Sequence, residues 1–367
     1  MNKGKKSMAR RERVVVALDH KEPDRVPLSM SITIKAYDNL KKYLGIDLEE
    51  DLNPGRWTEV PIHPLVAEKF GLDVIWLPTG KAHKKPRQSD DPNKWYDGWG
   101  VEDATVQDLE DFDWPDPFDP GITEGVREYY KHIHNDTEFA ILTKFGGAVF
   151  EQAWYLRGME TFLLDMVENP EFVEALLTKI AKIQMGFDEV LIEATGEYVD
   201  ILRLSGEDMG TQENPIISLP MFRRMVRPHL ESLWAYAKEK LLEKNANAKI
   251  MLHSCGAVSS FLPDWIDMKL DVLDPIQPRA KGMDPFELNA AFGDKLTFHG
   301  GIDAQYVLPF GTIEEVREHT KKYIKALAPG GGYICAPVHN VQGDVPPENL
   351  VAMRDAVEEF GYYPINL

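Results

Sequence analysis

The sequence predicts a (β/α)8 barrel forming a single domain over residues 1–367. Eight short apolar runs alternate with helical segments, and this order is typical of a (β/α)8 barrel. The runs are continuously apolar rather than alternating, as expected of parallel strands that are buried on both faces. An open doubly wound sheet is the alternative. No G-x-G-x-x-G turn follows the first run, which argues against a dinucleotide-binding version of that fold.

Turn residues delimit the predicted strands. Pro78 and Gly80 close the second run, and glycine pairs follow the third and the seventh. The fifth run ends in the turn Cys255-Gly256. The strands are predicted at 25–30, 73–77, 139–143, 200–205, from 249 to this turn, 272–276, 296–299 and 333–336.

Helices are predicted from apolar periodicity and from capping residues. Asp284 followed by Glu287 marks one start. Ser218 is a favourable N-cap, and Pro228 predicts a break in the helix that Ser218 opens. The predicted helices are 7–19, 36–43, 65–70, 150–156, 160–167, 170–194, 218–243, 259–268, 284–291, 312–328 and 347–360.

The stretch 80–137 interrupts the alternation of strands and helices. Prolines and glycines recur in it, with Trp95, Tyr96 and Trp99 among them. A structureless stretch of this length in a compact domain is typically a functional loop or a lid. We expect an insertion with small strands that closes over the site, and we expect Trp95 to contact the substrate. A surface excursion whose aromatic residues pack locally is the alternative.

The composition excludes several classes of partner. The formal net charge is −19, whereas nucleic-acid binding needs a basic surface and anionic membranes attract basic segments. No apolar run approaches the ~18 residues of a membrane span, and the basic start is not followed by the apolar core of a secretory signal. Two cysteines in so long a chain suit a reducing cytoplasm. The sequence leaves a homodimer open.

A metal site is predicted from the spacing of histidine and cysteine. His253 and Cys255 are two residues apart, so an extended backbone points both side chains the same way. The only other cysteine, Cys335, lies in the eighth run, and a barrel brings the ends of both strands to its mouth. We expect these three residues to bind zinc, with the fourth position open or held by a labile oxygen ligand from Asp274 or Glu207. Two ordinary buried cysteines are the alternative.

Further polar residues at the predicted strand ends are candidates for substrate binding and catalysis. We assign Lys144 and Asp303 to substrate binding, and Glu207 and His339 to catalysis. His339 also suits a partner of a metal-bound histidine, and Asp303 suits a loop turn. Asp73 is either a catalytic acid or a cap of a neighbouring loop. The polar residues at these ends are Lys144, Glu207, Asp208, His253, Cys255, Asp274, His299, Asp303, Cys335 and His339.

Motifs along nearly the whole chain resemble those of the uroporphyrinogen decarboxylase superfamily, whose fold is a (β/α)8 barrel. The matching segments are Arg10-Arg-Glu-Arg-Val, Glu22-Pro-Asp-Arg-Val-Pro27, Phe70-Gly-Leu-Asp-Val, Gly206-Glu-Asp-Met-Gly-Thr-Gln212, His253-Ser-Cys-Gly256, His299-Gly-Gly-Ile-Asp303, Gly330-Gly-Gly-Tyr-Ile-Cys-Ala-Pro337 and Asp344-Val-Pro-Pro-Glu-Asn349.

The resemblance implies one of two chemistries. Decarboxylases of the superfamily carry an R-Q-A-G-R stretch that grips the substrate carboxylates, and this chain has Ser29-Met-Ser-Ile-Thr-Ile-Lys35 in its place. The corrinoid-linked methyltransferases instead carry His-x-Cys and a later Cys that bind zinc. His253, Cys255 and Cys335 match that pattern.

By resemblance, the expected activity is zinc-dependent methyl transfer between a small molecule and the cobalt of a separate corrinoid protein. The aromatic cluster favours demethylation of a methoxylated aromatic compound, and methylation of a thiol is a close variant. A metal-free porphyrinogen-type decarboxylase that uses Asp73 is the alternative enzyme. A non-enzymatic barrel with a structural zinc is the third interpretation.

Overall fold

The computed structural model describes residues 7–50, 52, 59–81, 100–145 and 148–367. Its main sheet has seven parallel strands, β3 to β9, hydrogen-bonded in chain order. These strands correspond to the second to eighth predicted strands, so the TIM-barrel-like prediction is confirmed for them. The strands are β1 (Ile32–Thr33), β2 (Glu59–Val60), β3 (Val74–Leu77), β4 (Ala140–Phe145), β5 (Ile201–Gly206), β6 (Lys249–His253), β7 (Val272–Asp274), β8 (Thr297–Ile302) and β9 (Tyr333–Pro337).

The first predicted strand, 25–30, is not a regular strand, but it occupies the position between β9 and β3. The Cys335 N–H donates to the Pro27 carbonyl at 2.9 Å, and the Asp73 N–H donates to the Leu28 carbonyl at 2.8 Å. Proline has no N–H to donate, so a continuous ladder cannot form through this segment. The segment therefore joins the two edges of the sheet without being a strand.

Helices cover the outside of the sheet and follow most of the predicted spans. Between α9 and α10 a π-helical turn, Phe222–Val226, precedes Pro228, whose missing N–H prevents a regular helical bond there. None of the helices in the described ranges is long and apolar enough to cross a membrane. The helices are α1 (Arg10–Leu18), α2 (Ile34–Tyr43), α3 (Pro64–Phe70), α4 (Asp108–Asp111), α5 (Val126–Asp136), α6 (Phe150–Arg157), α7 (Met159–Glu168), α8 (Pro170–Thr195), α9 (Leu219–Met221), α10 (Arg227–Lys244), α11 (Leu262–Asp267), α12 (Pro285–Phe292), α13 (Val307–Phe310), α14 (Ile313–Leu327) and α15 (Pro347–Phe360).

The described part of the predicted insertion contains helices instead of small strands. Residues 100–137 include α4 and α5. α5 buries Val126, Tyr130 and Ile133, and the Tyr130 hydroxyl donates to the carbonyl of Leu77 at the end of β3 at 2.9 Å. α5 is thus part of the helical layer between β3 and β4. Trp95 and its aromatic neighbours lie outside the described residues, so a lid there stays a prediction.

Helix α1 closes the amino-terminal end of the sheet. Its Arg11 N–H donates to the Glu138 carbonyl, just before β4, at 2.6 Å. Its apolar side chains pack with every second residue of the strands, which is the inward-facing set. This inner apolar cluster is Val14, Leu18, Val74, Ala140, Leu142, Ile201, Met251, Val272 and Ile334. The opposite, carboxyl-terminal end of the strands remains available for a site.

Asp73 lies at the closed end and holds a buried ion network. Its side chain is 0% exposed. It accepts hydrogen bonds from Arg13 at 2.6 Å, from Arg25 at 2.8 Å and from the Leu28 N–H at 2.8 Å. Asp73 directly precedes β3 and does not line the cavity described below. The suggested catalytic role of Asp73 therefore gives way to a structural one.

Replacing Asp73 by asparagine is expected to lower the free energy of unfolding by about 3–5 kcal/mol, because two buried guanidinium groups lose their shared counter-charge. Asp38→Asn is a matched control, since Asp38 is 60% exposed and forms a surface pair with Lys41; it should change stability by no more than about 0.5 kcal/mol. Urea denaturation measures both. A loss for Asp73→Asn as small as that of the control would refute this structural role.

Candidate metal centre and cavity

A cavity of about 400 Å³ opens at the carboxyl-terminal ends of the strands. Each strand from β3 to β7 contributes a residue placed two positions after an inward apolar one, and β8 contributes His299. Because side chains alternate along a strand, these residues also point inward. This polar layer is Trp76, Lys144, Arg203, His253, Asp274 and His299, all of which line the cavity.

His253 and Cys255 are positioned by the turn that ends β6. Gly256 has a φ of +91° and lies so close to Gly210 that a Cβ would be 2.2 Å from the Gly210 carbonyl oxygen. Only glycine fits this conformation and this contact. The Cys255 N–H donates to Asp208 Oδ1 at 2.8 Å, which fixes the backbone on the other side of the thiol.

Three potential metal ligands converge at this turn. Their ligand atoms, on His253, Cys255 and His339, all lie within 4.8 Å of one another. His253 Nε2 is 3.5 Å from Cys255 Sγ, and the His253 and His339 rings are 5.8 Å apart between centroids. Two imidazoles and a thiol form a donor set that suits a tetrahedral transition metal with one position left for another ligand.

Asp274 supports this group from behind. His253 Nδ1–H donates to Asp274 Oδ2 at 2.6 Å, which leaves Nε2 able to bind a metal. His299 Nδ1–H donates to the other oxygen at 2.7 Å. Burial opposes ionisation of Asp274, yet these two histidines hold its pKa well below the usual range. A carboxylate behind a metal-binding histidine fixes the ring and its tautomer. The structure thus makes Asp274 a partner of a ligand, not the predicted oxygen ligand.

The protonation states of the other two ligands are set by their surroundings. His339 lies at the cavity mouth with an exposed side chain, but the protein atoms packed around its ring, and then the nearby charge of His253, lower its pKa to about 4. His339 is therefore neutral and able to bind a metal at pH 7. Burial, and then the charges of Asp208 and Asp274, raise the pKa of the Cys255 thiol well above its usual value. A bound cation supplies the positive charge that offsets this effect, because a coordinated thiol loses its proton.

Cys335 is not part of the group, contrary to the sequence-based prediction. Ile334 belongs to the inner apolar cluster, so the side chain of Cys335 points to the other face of β9. There it is fully buried in the core beneath the helices, and this burial raises its pKa to about 12. His339, two residues beyond β9, takes the expected place of Cys335.

Glu207 has a structural environment instead of the predicted catalytic one. Its carboxylate accepts the backbone N–H groups of Val149, Phe150 and Glu151 at 2.6, 3.0 and 3.1 Å. These groups begin α6 and lack helical partners. Glu207 is buried and does not line the cavity, so it anchors α6 against the end of β5. It is also absent from the metal-ligand group.

The helix that Glu207 anchors places Glu151 in the cavity wall. The Tyr155 hydroxyl donates to Glu151 Oε1 at 2.8 Å. Burial, and then the negative charge of Asp208, raise the pKa of Glu151 to about 8. Glu151 therefore carries a proton at neutral pH, and we consider it the better candidate for acid–base chemistry.

Of the two predicted substrate-binding residues that the structure describes, Lys144 lies in the cavity wall and Asp303 does not. Lys144 lines the cavity, where it pairs with Glu59 of β2. Asp303 does not line it; its carboxylate accepts the N–H groups of Gln305 and Tyr306 at 2.7 and 3.1 Å. Such bonds are typical of an aspartate that stabilises a turn. These bonds agree with the alternative interpretation of Asp303 as a loop residue, and its role in substrate binding stays a prediction.

Sequence reasoning missed Arg203 and gave His299 no role. Arg203 interrupts the apolar run of β5, and a charge at an inward position of a buried strand is itself an indication of a site. His299 and Trp76 have the same inward orientation on β8 and β3. Taking every second residue of each strand, starting from the inward apolar residues, would have identified Arg203, His299 and Trp76 as residues of the cavity wall.

A TIM-barrel-like fold with a polar cavity at the carboxyl ends of its strands is the arrangement of an enzyme. The model of the uroporphyrinogen decarboxylase family matches residues 101–360, and the chain belongs to that family. The uroporphyrinogen decarboxylase of Alkalilimnicola ehrlichii is 22% identical over 386 residues, covering 96% of this chain and 95% of the relative. That of Vibrio cholerae is 22% identical over 264 residues, covering 68% of each.

Among solved structures, a methyltransferase from Methanosarcina mazei has a similar fold. The TM-score is 0.64 with 18% sequence identity, and the match covers 96% of this chain and 99% of that one. At this identity the likeness concerns the fold. The names of these proteins suggest two activities, decarboxylation and methyl transfer, and the geometry of the site must decide between them.

Proposed function

We propose that this protein is a zinc-dependent methyltransferase of a corrinoid system. It would move a methyl group between the heteroatom of a small molecule and the cobalt of a separate corrinoid protein. The observation that carries this proposal is the convergence of His253, Cys255 and His339 at the cavity. The similar fold of a methyltransferase supports it.

Zinc suits these residues better than most metals, because it accepts nitrogen and sulfur ligands in a tetrahedral arrangement. When bound, it would supply a Lewis acid to the heteroatom that carries or receives the methyl group. Two imidazoles and one thiolate cancel less of its charge than one imidazole and two thiolates would. The set with His339 in place of Cys335 is therefore the more electrophilic one, which favours an ether oxygen as the heteroatom.

The protein's own groups would orient the site and supply a proton. Asp274 holds His253 in the tautomer that binds the metal through Nε2. Removal of a methyl group from an ether leaves an oxygen that must gain a proton. Glu151 holds a proton at neutral pH and lines the same cavity, so its carboxyl is the donor that we assign to this step. The demethylated product leaves as an alcohol or a phenol.

A porphyrinogen decarboxylase is the alternative that the names of the relatives suggest. A substrate with many carboxylates needs several cations. Among the described residues that line the cavity, lysine and arginine are represented by Lys144 and Arg203. Ser29 and Ser31 line it from the segment where decarboxylases carry arginines. Asp73, the acid suggested for this chemistry, is engaged with two arginines elsewhere.

Purified protein is expected to bind about one zinc per chain. Cys255→Ser and His339→Ala should each weaken zinc binding by more than the about 10- to 100-fold that follows loss of an outer partner. Competition with a chromophoric chelator measures the affinity. Cys335→Ser is the matched control, because the same chemical change falls on a thiol outside the group, and it should keep its zinc. Loss of zinc in Cys335→Ser with retention in His339→Ala would reverse our assignment.

Transfer of a methyl group from a methoxyarene to cob(I)alamin is expected to slow above about pH 8. Burial raises the pKa of Glu151 to about 8, so its proton is present below that pH and is lost above it. Glu151→Gln should be at least about 100-fold slower and should lack this decline. Glu168→Gln, which changes an exposed acid at the end of α7, should behave as wild type. An unchanged decline in Glu151→Gln would exclude Glu151 as the donor.

A further inference from the structure

The cavity contains a guanidinium group that has no hydrogen-bond acceptor among the residues that the structure describes. The side chain of Arg203 is 18% exposed, and its Nε lies 3.8 Å from Asp274 Oδ2, too far for a hydrogen bond. Nε is buried and has no hydrogen-bond partner within the described ranges. Both oxygens of Asp274 already accept from histidines. Arg203 has five N–H donors, and leaving such a group unsatisfied in a buried site is costly. The site is therefore suited to an acceptor that comes from outside the protein.

A second cation stands next to Arg203. Lys144 of β4 is the register partner of Arg203 on β5, so both side chains point into the barrel from adjacent positions. Burial, and then the nearby charge of Arg203, lower the pKa of Lys144 to about 7. Glu59 pairs with Lys144, and Asp274 lies 3.8 Å from Arg203 Nε. Because both oxygens of Asp274 already accept from histidines, an added anion would still relieve the repulsion between the two adjacent cations.

An indole completes this side of the cavity. Trp76 of β3 lies under Lys144, whose Nζ is 4.7 Å from the ring centroid. Trp76 Nε1 is buried and finds no hydrogen-bond partner in the described part of the chain. It can only donate, so it adds a third donor to the two cations. Three adjacent strands, β3, β4 and β5, therefore present donors to one part of the cavity, next to the candidate metal group on β6.

We propose that Arg203, Lys144 and Trp76 bind a carboxylate of the substrate, so that the methyl donor is a small methoxylated carboxylic acid. The methoxy part of this inference rests on the proposed function, whereas the carboxylate part rests on these three residues. Arginine binds a carboxylate through two parallel N–H groups. A single carboxylate is enough for these two cations, because Glu59 already partly compensates Lys144 and Asp274 partly compensates Arg203. A cavity of about 400 Å³ suits a single-ring compound.

The test compares para-methoxybenzoate with para-methoxybenzamide, which has nearly the same shape but no charge. Calorimetric titration of the zinc-loaded protein is expected to give at least about tenfold tighter binding of the acid. Arg203→Gln should weaken binding of the acid by about 10- to 100-fold and leave binding of the amide unchanged. Arg203→Lys should recover part of the loss, since it keeps the charge without the planar fork. Arg224→Gln, which changes an exposed arginine, should bind both compounds as wild type.

Lys144→Met provides a second variant in case Arg203→Gln does not fold, and zinc content with thermal melting checks that each variant is intact. Equal affinities for acid and amide in the wild type, or no saturable binding of the acid at millimolar concentrations, would overturn the inference. Methyl transfer to cob(I)alamin separates the two proposals. If the protein binds the acid more tightly than the amide but transfers no methyl group, the proposed function is wrong and the carboxylate subsite stands. If it transfers methyl groups from neutral methoxyarenes and does not prefer the acid, the subsite is wrong and the proposed function stands.

Discussion

The shared carboxylate of Asp274 is the interaction on which the site depends. It accepts the Nδ1–H of His253 and of His299 at once, and both rings therefore turn Nε2 away from it. For His253 this places Nε2 next to Cys255 and His339. For His299 it leaves Nε2 buried and without a partner among the described residues. One negative charge thus orients both the candidate metal group and a neighbouring part of the cavity wall.

The candidate metal group contains His339 where the sequence predicted Cys335, and this difference changes the expected chemistry of the site. A thiolate binds zinc as an anion, whereas a neutral imidazole adds no charge. The surroundings agree with this exchange, because they favour the neutral form of His339 and bury Cys335 in an apolar core. In our proposal, a more electrophilic metal beside a protonated Glu151 would suit cleavage of an ether. The candidate metal group and Glu151 both lie at the carboxyl-terminal end of the strands, whereas Asp73 stabilises the amino-terminal end.

Much of the fold is predictable from the sequence, because seven strands are continuous apolar runs ended by turn residues. The segment 25–30 was predicted as a strand on the same grounds, but Pro27 removes a donor that a ladder needs. Helix α5 was missed because prolines and glycines before it hid its periodicity.

The site was predictable where local geometry decides it. The spacing of His253 and Cys255 was sufficient, since both lie at one strand end. Cys335 was misassigned because side chains alternate along β9. Ile334 points into the barrel, so its neighbour Cys335 must point outward. His339 lies beyond β9, where the strand pattern no longer determines direction. Arg203 was overlooked because a single charge in an apolar run does not weaken the prediction of a strand.

X-ray absorption at the zinc edge of the loaded protein tests the central claim most directly. We predict one sulfur neighbour at about 2.3 Å together with nitrogen or oxygen neighbours at about 2.0–2.1 Å, as expected for two histidines, one cysteine and an exchangeable ligand. Two sulfur neighbours would contradict this account, because the second could only come from Cys335.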